Sequence, residues 1–180
     1  MSRYSELCNA FERDYNNFNN YRILSRDIVL NFCESFVAYI DTSIENLKYV
    51  NEEEELMPHF NFEIVTHEDS FSSVKFALKL IIDEKTVYPQ EYIAFDIFFK
   101  VNNGVLIIYF LALPQHMELP IDKNNNINFT PFNEALFNQI KNFYQQRFDN
   151  FIQFKNKQPE GFHIYISEDL ANSSENEDLI

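Results

Sequence analysis

Residues Tyr92–Leu113 read YIAFDIFFKVNNGVLIIYFLAL, two apolar runs joined at Asn103-Gly104. Asn-Gly between such runs is the strongest short-range hairpin signal, because a type I′ turn needs positive φ at both central residues. With Asn103-Gly104 as the loop, Val101 faces Leu106, Phe99 faces Ile108, Ile97 faces Phe110 and Phe95 faces Ala112. That face is all hydrocarbon. The other carries Ala94, Asp96, Phe98 and Lys100 on one strand and Val105, Ile107, Tyr109, Leu111 and Leu113 on the other. A solvated face of an antiparallel sheet alternates apolar and polar residues, and the second strand does not. Something is therefore expected to cover this outer face, either the chain's own helices or a partner.

Outward from the hairpin, two further strands precede it. Phe60, Phe62, Ile64 and Thr66 alternate along one, and Val74, Phe76, Leu78 and Leu80 along the other. Short turns favour an antiparallel meander. Upstream, Tyr4, Leu7, Cys8, Phe11, Tyr15 and Phe18 recur at helical spacing, predicting a helix over 3–18 that ends at Asn16-Asn17 and Asn19-Asn20. Ser25 is a candidate N-cap for a second helix, Arg26 to Tyr49, with the stripe Val29, Phe32, Cys33, Phe36, Ile40, Ile44 and Leu47. Asn51–Pro58 reads as a charged linker. Downstream, Pro114–Thr130 reads as an irregular loop. Thr130 with Pro131 at the first helical position opens a long helix to about Phe154. Its stripe of Phe132, Leu136, Ile140 and Phe143 lies beside a second of Phe137, Tyr144, Phe148, Phe151 and Ile152. Phe162, Ile164 and Ile166 predict a last short strand. The expected order is α-α-β-β-β-β-α-β. This is an α+β domain over 1–166, with a four- to five-stranded, mostly antiparallel meander packed against two N-terminal helices and one long C-terminal helix. An acidic tail, 167–180, is expected to be mobile.

A chain of 180 residues with 20 Phe has ample material for one core. No apolar run approaches the roughly 20 residues of a membrane span. The N-terminus lacks the apolar core of a signal peptide, so a cytosolic location is expected. Cys8 and Cys33, both on helical stripes, are expected to be buried thiols. The net charge of −14 is concentrated. Residues 51–90 hold nine acids and three bases, and residues 161–180 hold five acids and no base, which together account for −11. Phosphate neutralisation needs clustered Lys and Arg, and no such cluster exists, which disfavours nucleic acid as a direct partner.

Only two glycines occur, Gly104 and Gly161. A phosphate-cradling loop needs glycine for close backbone approach. The usual designs of kinase, ATPase, dinucleotide dehydrogenase and α/β-hydrolase are therefore excluded, and no cofactor is expected. A nuclease-like set remains as an enzyme alternative, with Asp69 as first acid and Asp83 with Lys85 as an acid-x-Lys pair around Mg²⁺. His67-Glu68-Asp69 and His116 with Glu118 are possible ligands, yet neither matches a structural zinc spacing, and no resident metal is expected. Cys33 sits among apolar residues, where burial raises a thiol's pKa and makes it inert.

The expectation is a non-enzymatic protein-binding module. Its element order is similar to that of small acidic secretion chaperones and bacterial immunity proteins, on fold analogy alone. The concrete reading is an immunity- or antitoxin-type inhibitor that masks a basic toxin or nuclease. Glu52, Glu53, Glu54 and Glu55 supply charge, and Phe98, Ile107, Tyr109 and Leu111 supply apolar contact. The alternative within binding proteins is a chaperone or structural subunit of a larger assembly that uses the outer sheet face. Usage rich in Phe, Asn and Ile with scarce Gly fits an AT-rich genome, such as that of a bacterium or phage.

Overall fold

A computed structural model describes residues 2–67, 71–81, 91–113, 115–152 and 161–166. Among these residues the architecture is α+β, with one antiparallel sheet of eight strands and two long helices. The predicted hairpin forms as β5 (Glu91–Asn102) and β6 (Val105–Phe110), with Val101 on Leu106, Phe99 on Ile108 and Ile97 on Phe110. Asn103 and Gly104 take the positive φ that the turn requires, +49° and +74°. β6 ends at Phe110, so the ladder stops short of the expected Phe95–Ala112 pair.

β5 is the organising strand. On one side it pairs along its length with β4 (Ser72–Leu80). Its other side is shared end to end by β6 and by the late strand β8 (His163–Ile166), which pairs with Glu91–Ala94. β1 (Leu47–Val50) lies beside β4 and carries β2 (Leu56–Pro58) at the edge, while β3 (Val65–Thr66) pairs with the start of β4. β7 (Met117–Pro120) closes the opposite edge against β6.

Several boundaries differ from the sequence expectation. The two N-terminal helices are one, α1 (Arg3–Tyr39), of 37 residues. Asparagine is only a weak helix breaker, and residues 16–20 contain no Gly or Pro to stop the helix. Ser25 is consequently not a cap but a buried residue in mid-helix, and Ser2 caps instead, its Oγ accepting the Ser5 N–H at 3.2 Å. The helix ends at Tyr39, with Asp41 at φ +53°, so Leu47–Val50 is strand and not helix. The spacing of Ile40, Ile44 and Leu47 continues the helical period by coincidence. The expected strand Phe60–Thr66 is a 3-10 turn, His59–Asn61, followed by the two-residue β3. The expected loop Pro114–Thr130 hides β7, whose Pro120 is tolerated because the strand is at an edge. α2 (Thr130–Ile152) begins as predicted, although the capping oxygen is Asn128 Oδ1, which accepts the Thr130 N–H at 3.1 Å. The tail 167–180 lies outside the described residues.

Both helices pack on one face of the sheet. Ile28, Phe32 and Phe36 of α1 and Phe132, Leu136 and Phe143 of α2 meet Phe76, Phe95, Ile97, Phe99, Ile108 and Phe110 in one core. Each fully buried side chain of this size contributes about 1.5–3 kcal/mol. Asn133 ties the helices together, its Nδ2 donating to Ser35 Oγ at 2.8 Å. In the second stripe of α2, Tyr144 is half-buried, and Phe137 and Ile152 are exposed, Phe137 standing edge-on to Tyr39.

Candidate functional site

The sheet face opposite the helices carries the residues singled out from sequence. Its small buried cluster, Val50, Ala77, Tyr92 and Ala94, is built from strands alone. α1 and α2 are thus not its cover.

Asn51–Glu55 is the turn between β1 and β2. It is held by Asn51, whose Oδ1 accepts the Glu55 N–H at 2.7 Å and whose Nδ2 donates to Glu55 Oε2 at 3.2 Å. Glu54 adopts φ +63° and reaches across β1 toward Lys75 of β4, with 3.7 Å between Oε1 and Nζ. Glu52 and Glu54 then line a recess of about 220 Å³ together with Glu63, Asp96, Lys75 and Ser73. Glu53 and Glu55 do not line it. Four carboxylates and one ammonium therefore line this recess. Burial raises the Asp96 pKa, while Lys75, and after it His163 and His67, pull it back. A carboxylate on the sheet face whose ionisation is opposed by burial is a candidate functional group.

Phe98, Ile107 and Tyr109 adjoin the recess, because Ser73 on its rim pairs with Phe98 across the ladder. The Phe98 and Tyr109 rings stack with centroids 5.0 Å apart, and Phe71 stands edge-on to Tyr109 at 5.3 Å. Lys100 Nζ lies 4.1 Å over the Phe71 ring, and His67 is 5.7 Å from Phe98. Phe71, Phe98, Lys100 and Tyr109 are half-buried, and His67 is exposed at their edge. Leu111 is exposed just past the end of β6.

His67 Nε2 and Ser73 Oγ are 2.8 Å apart, the distance of a base and a nucleophile. Ser73 nevertheless lies in β4 where β3 and β5 flank it on both sides. Its neighbouring backbone N–H groups are committed to the ladders and offer no oxyanion hole. Among the described residues no group of three or more His, Cys, Asp or Glu side chains is placed to hold a metal. His116 and Glu118 form a surface pair at 3.8 Å. Asp69, Asp83 and Lys85 lie outside the described residues. Cys33 is buried, and burial pushes its thiol far up; Cys8, against expectation, is exposed. Its exposure follows from that of the helix segment around it.

That segment is the feature sequence reading missed. Tyr4, Leu7, Phe11, Tyr15 and Phe18 form the predicted stripe, yet they are 60–76% exposed, and α1 first meets the body at Phe18 and Tyr21. The stripe gave no sign of what it faces. Asp96 and Glu63 were also unassigned, although a single charge in the run Tyr92–Phe99 was a legible signal.

No family model, no curated protein and no solved structure matches this chain. Among the described residues no helix is long and apolar enough to cross a membrane.

Proposed function

We propose that the protein is a non-enzymatic binding module, an acidic inhibitor of immunity or antitoxin type that masks a basic protein. The observation behind this reading is the convergence of Glu52, Glu54, Glu63 and Asp96 on one recess beside the Phe98–Tyr109 platform. A Lys or Arg side chain of the partner enters the recess, and its aliphatic stem and neighbours lie on the aromatic rings. Charge then steers the encounter, and desolvated aromatic contact holds the complex. The exposed stripe of α1 favours a second reading, a chaperone or structural subunit of a larger assembly.

The test is affinity capture from cell lysate at low and high salt, read by mass spectrometry, with the parent chain and a Glu52→Lys, Glu54→Lys double variant. One stoichiometric basic protein, captured better at low salt and lost with the double variant, is the expected result. Capture of the same protein by both chains sinks the recess as its site.

A further inference from the structure

We infer that Arg3–Asn20 of α1 is a pairing arm that docks antiparallel on the same arm of a second copy of this chain. These 18 residues extend about 27 Å at 1.5 Å per residue. Tyr4, Leu7, Phe11 and Tyr15 are exposed, Phe18 lies at the cleft against the body, and among the described residues the one ring contact of Phe11 and Tyr15 is with each other. The arm includes five asparagines, Asn9, Asn16, Asn17, Asn19 and Asn20, all weak helix formers. Helices of this length need a buried face to persist in water. Among the described residues only Phe18 of this stripe lies beside the body.

The stripe is self-complementary. Tyr4, Leu7, Phe11, Tyr15 and Phe18 are spaced 3, 4, 4 and 3, symmetrically about Phe11. In an antiparallel pair centred on Phe11, Tyr4 meets the partner's Phe18, Leu7 meets the partner's Tyr15, and the two Phe11 rings meet on the two-fold axis. The four intervals span 14 residues in four turns, 3.5 per turn, so the two arms wrap with the gentle left-handed supercoil of a heptad seam. The partner's first turn comes to lie over the cleft at the arm's root, where Phe18 and Tyr21 of α1 face Phe62 and Glu63.

Charge selects both the occupant and the direction. Up to Arg22 the chain holds Arg3, Arg13 and Arg22 against Glu6, Glu12 and Asp14, so it is neutral and the whole −14 lies beyond it. A neutral arm has no attraction for an anionic lipid surface, which amphipathic helices grip with Lys and Arg. A parallel pair sets two acidic bodies side by side. The antiparallel pair separates the two Tyr21 positions by about 30 Å along the axis, several screening lengths at physiological salt. Five side chains of this size, 60–76% exposed, offer roughly 600 Å² per arm, or about 1,200 Å² per pair. That meets the lower bound of a stable interface.

Sedimentation equilibrium of the full chain tests this, without need of the partner protein proposed above. A dimer at micromolar concentration is expected, and it should persist or tighten as salt screens the bodies, whereas recess binding should weaken. Phe11→Glu should raise the dissociation constant about 100-fold or more, with an unchanged near-UV spectrum as proof of an intact body. In a Cys8→Ser background, Phe11→Cys should cross-link two chains on oxidation, and Tyr4→Cys should not. Equal cross-linking at both positions means a parallel pair and overturns the proposal. So does a monomer at every concentration, or a dimer that survives Phe11→Glu.

Discussion

Phe11 and Phe32 lie on the same helix, and truncating them should have very different costs. Phe32 is 2% exposed and sits among Phe36, Phe76, Phe129 and Phe132, with centroids at 5.7, 6.1, 5.9 and 5.7 Å. It is the point where α1, α2 and the sheet meet. A buried Phe→Ala change costs about 3–5 kcal/mol. Four ring contacts, worth roughly 0.5–1.5 kcal/mol each before non-additivity, place Phe32→Ala at the top of that range. Against a total stability of about 5–15 kcal/mol, this is a large fraction. Phe11 is 71% exposed, and among the described residues its ring contact is with Tyr15 of the same helix, so Phe11→Ala should cost under about 0.5 kcal/mol in the monomer. Urea unfolding followed by near-UV circular dichroism, at dilutions that dissociate any dimer, measures both. If Phe32→Ala does not fold, Phe32→Leu should still lose about 1–2 kcal/mol. A loss below about 1.5 kcal/mol for Phe32→Ala, or equal losses at the two positions, would refute the docking of both helices on one sheet face.

Burial raises the folded pKa of Asp96 above its unfolded value, so its ionised form weakens the fold at neutral pH, and this penalty disappears as pH falls below the ordinary carboxylate range. Asp96→Asn should therefore raise the urea midpoint at neutral pH but not in acid, while weakening capture of a basic partner; a lowered midpoint at neutral pH contradicts this. Gly104 and Gly161 both have positive φ, yet a Cβ on Gly104 meets open space, whereas one on Gly161 lies 2.9 Å from the Ala112 backbone N. Gly104→Ala should cost about 1 kcal/mol, and Gly161→Ala clearly more; thermal melts of the two variants decide it. A thiol reagent should modify Cys8 alone in the native protein and Cys33 only on unfolding, as peptide mapping of the labelled chain reports.

The turn and register of the hairpin were legible, though not where β6 stops, because this information is local: Asn103-Gly104 sets the turn, and alternation with period two sets the register. β4 and α2 were legible for the same reason, through long periodic runs with clear end signals. The failures share a different cause. β1 and β7 are four-residue strands stabilised by what lies beside them, and four residues cannot distinguish a strand period from a helical one. The apolar stripe of residues 4–18 revealed a helix correctly but not whether the core or solvent lies opposite, since the pattern is identical in both cases. Likewise, Glu52 and Asp96 are 44 positions apart, and only the β1–β4–β5 order brings them into one recess.

The division of the β5 edge between β6 and β8 sets a timetable for synthesis. β4, β5 and β6 emerge from the ribosome in succession and can zip together, but Glu91–Ala94 gains its second neighbour only when His163–Ile166 follows. For the roughly 50 residues between β6 and β8, at about 5–20 residues per second, the apolar middle of the sheet presents an open half-edge to other nascent chains. A ribosome stalled late in that interval, after α2 has emerged, holds both helices and most of the sheet with Glu91–Ala94 still open on one side.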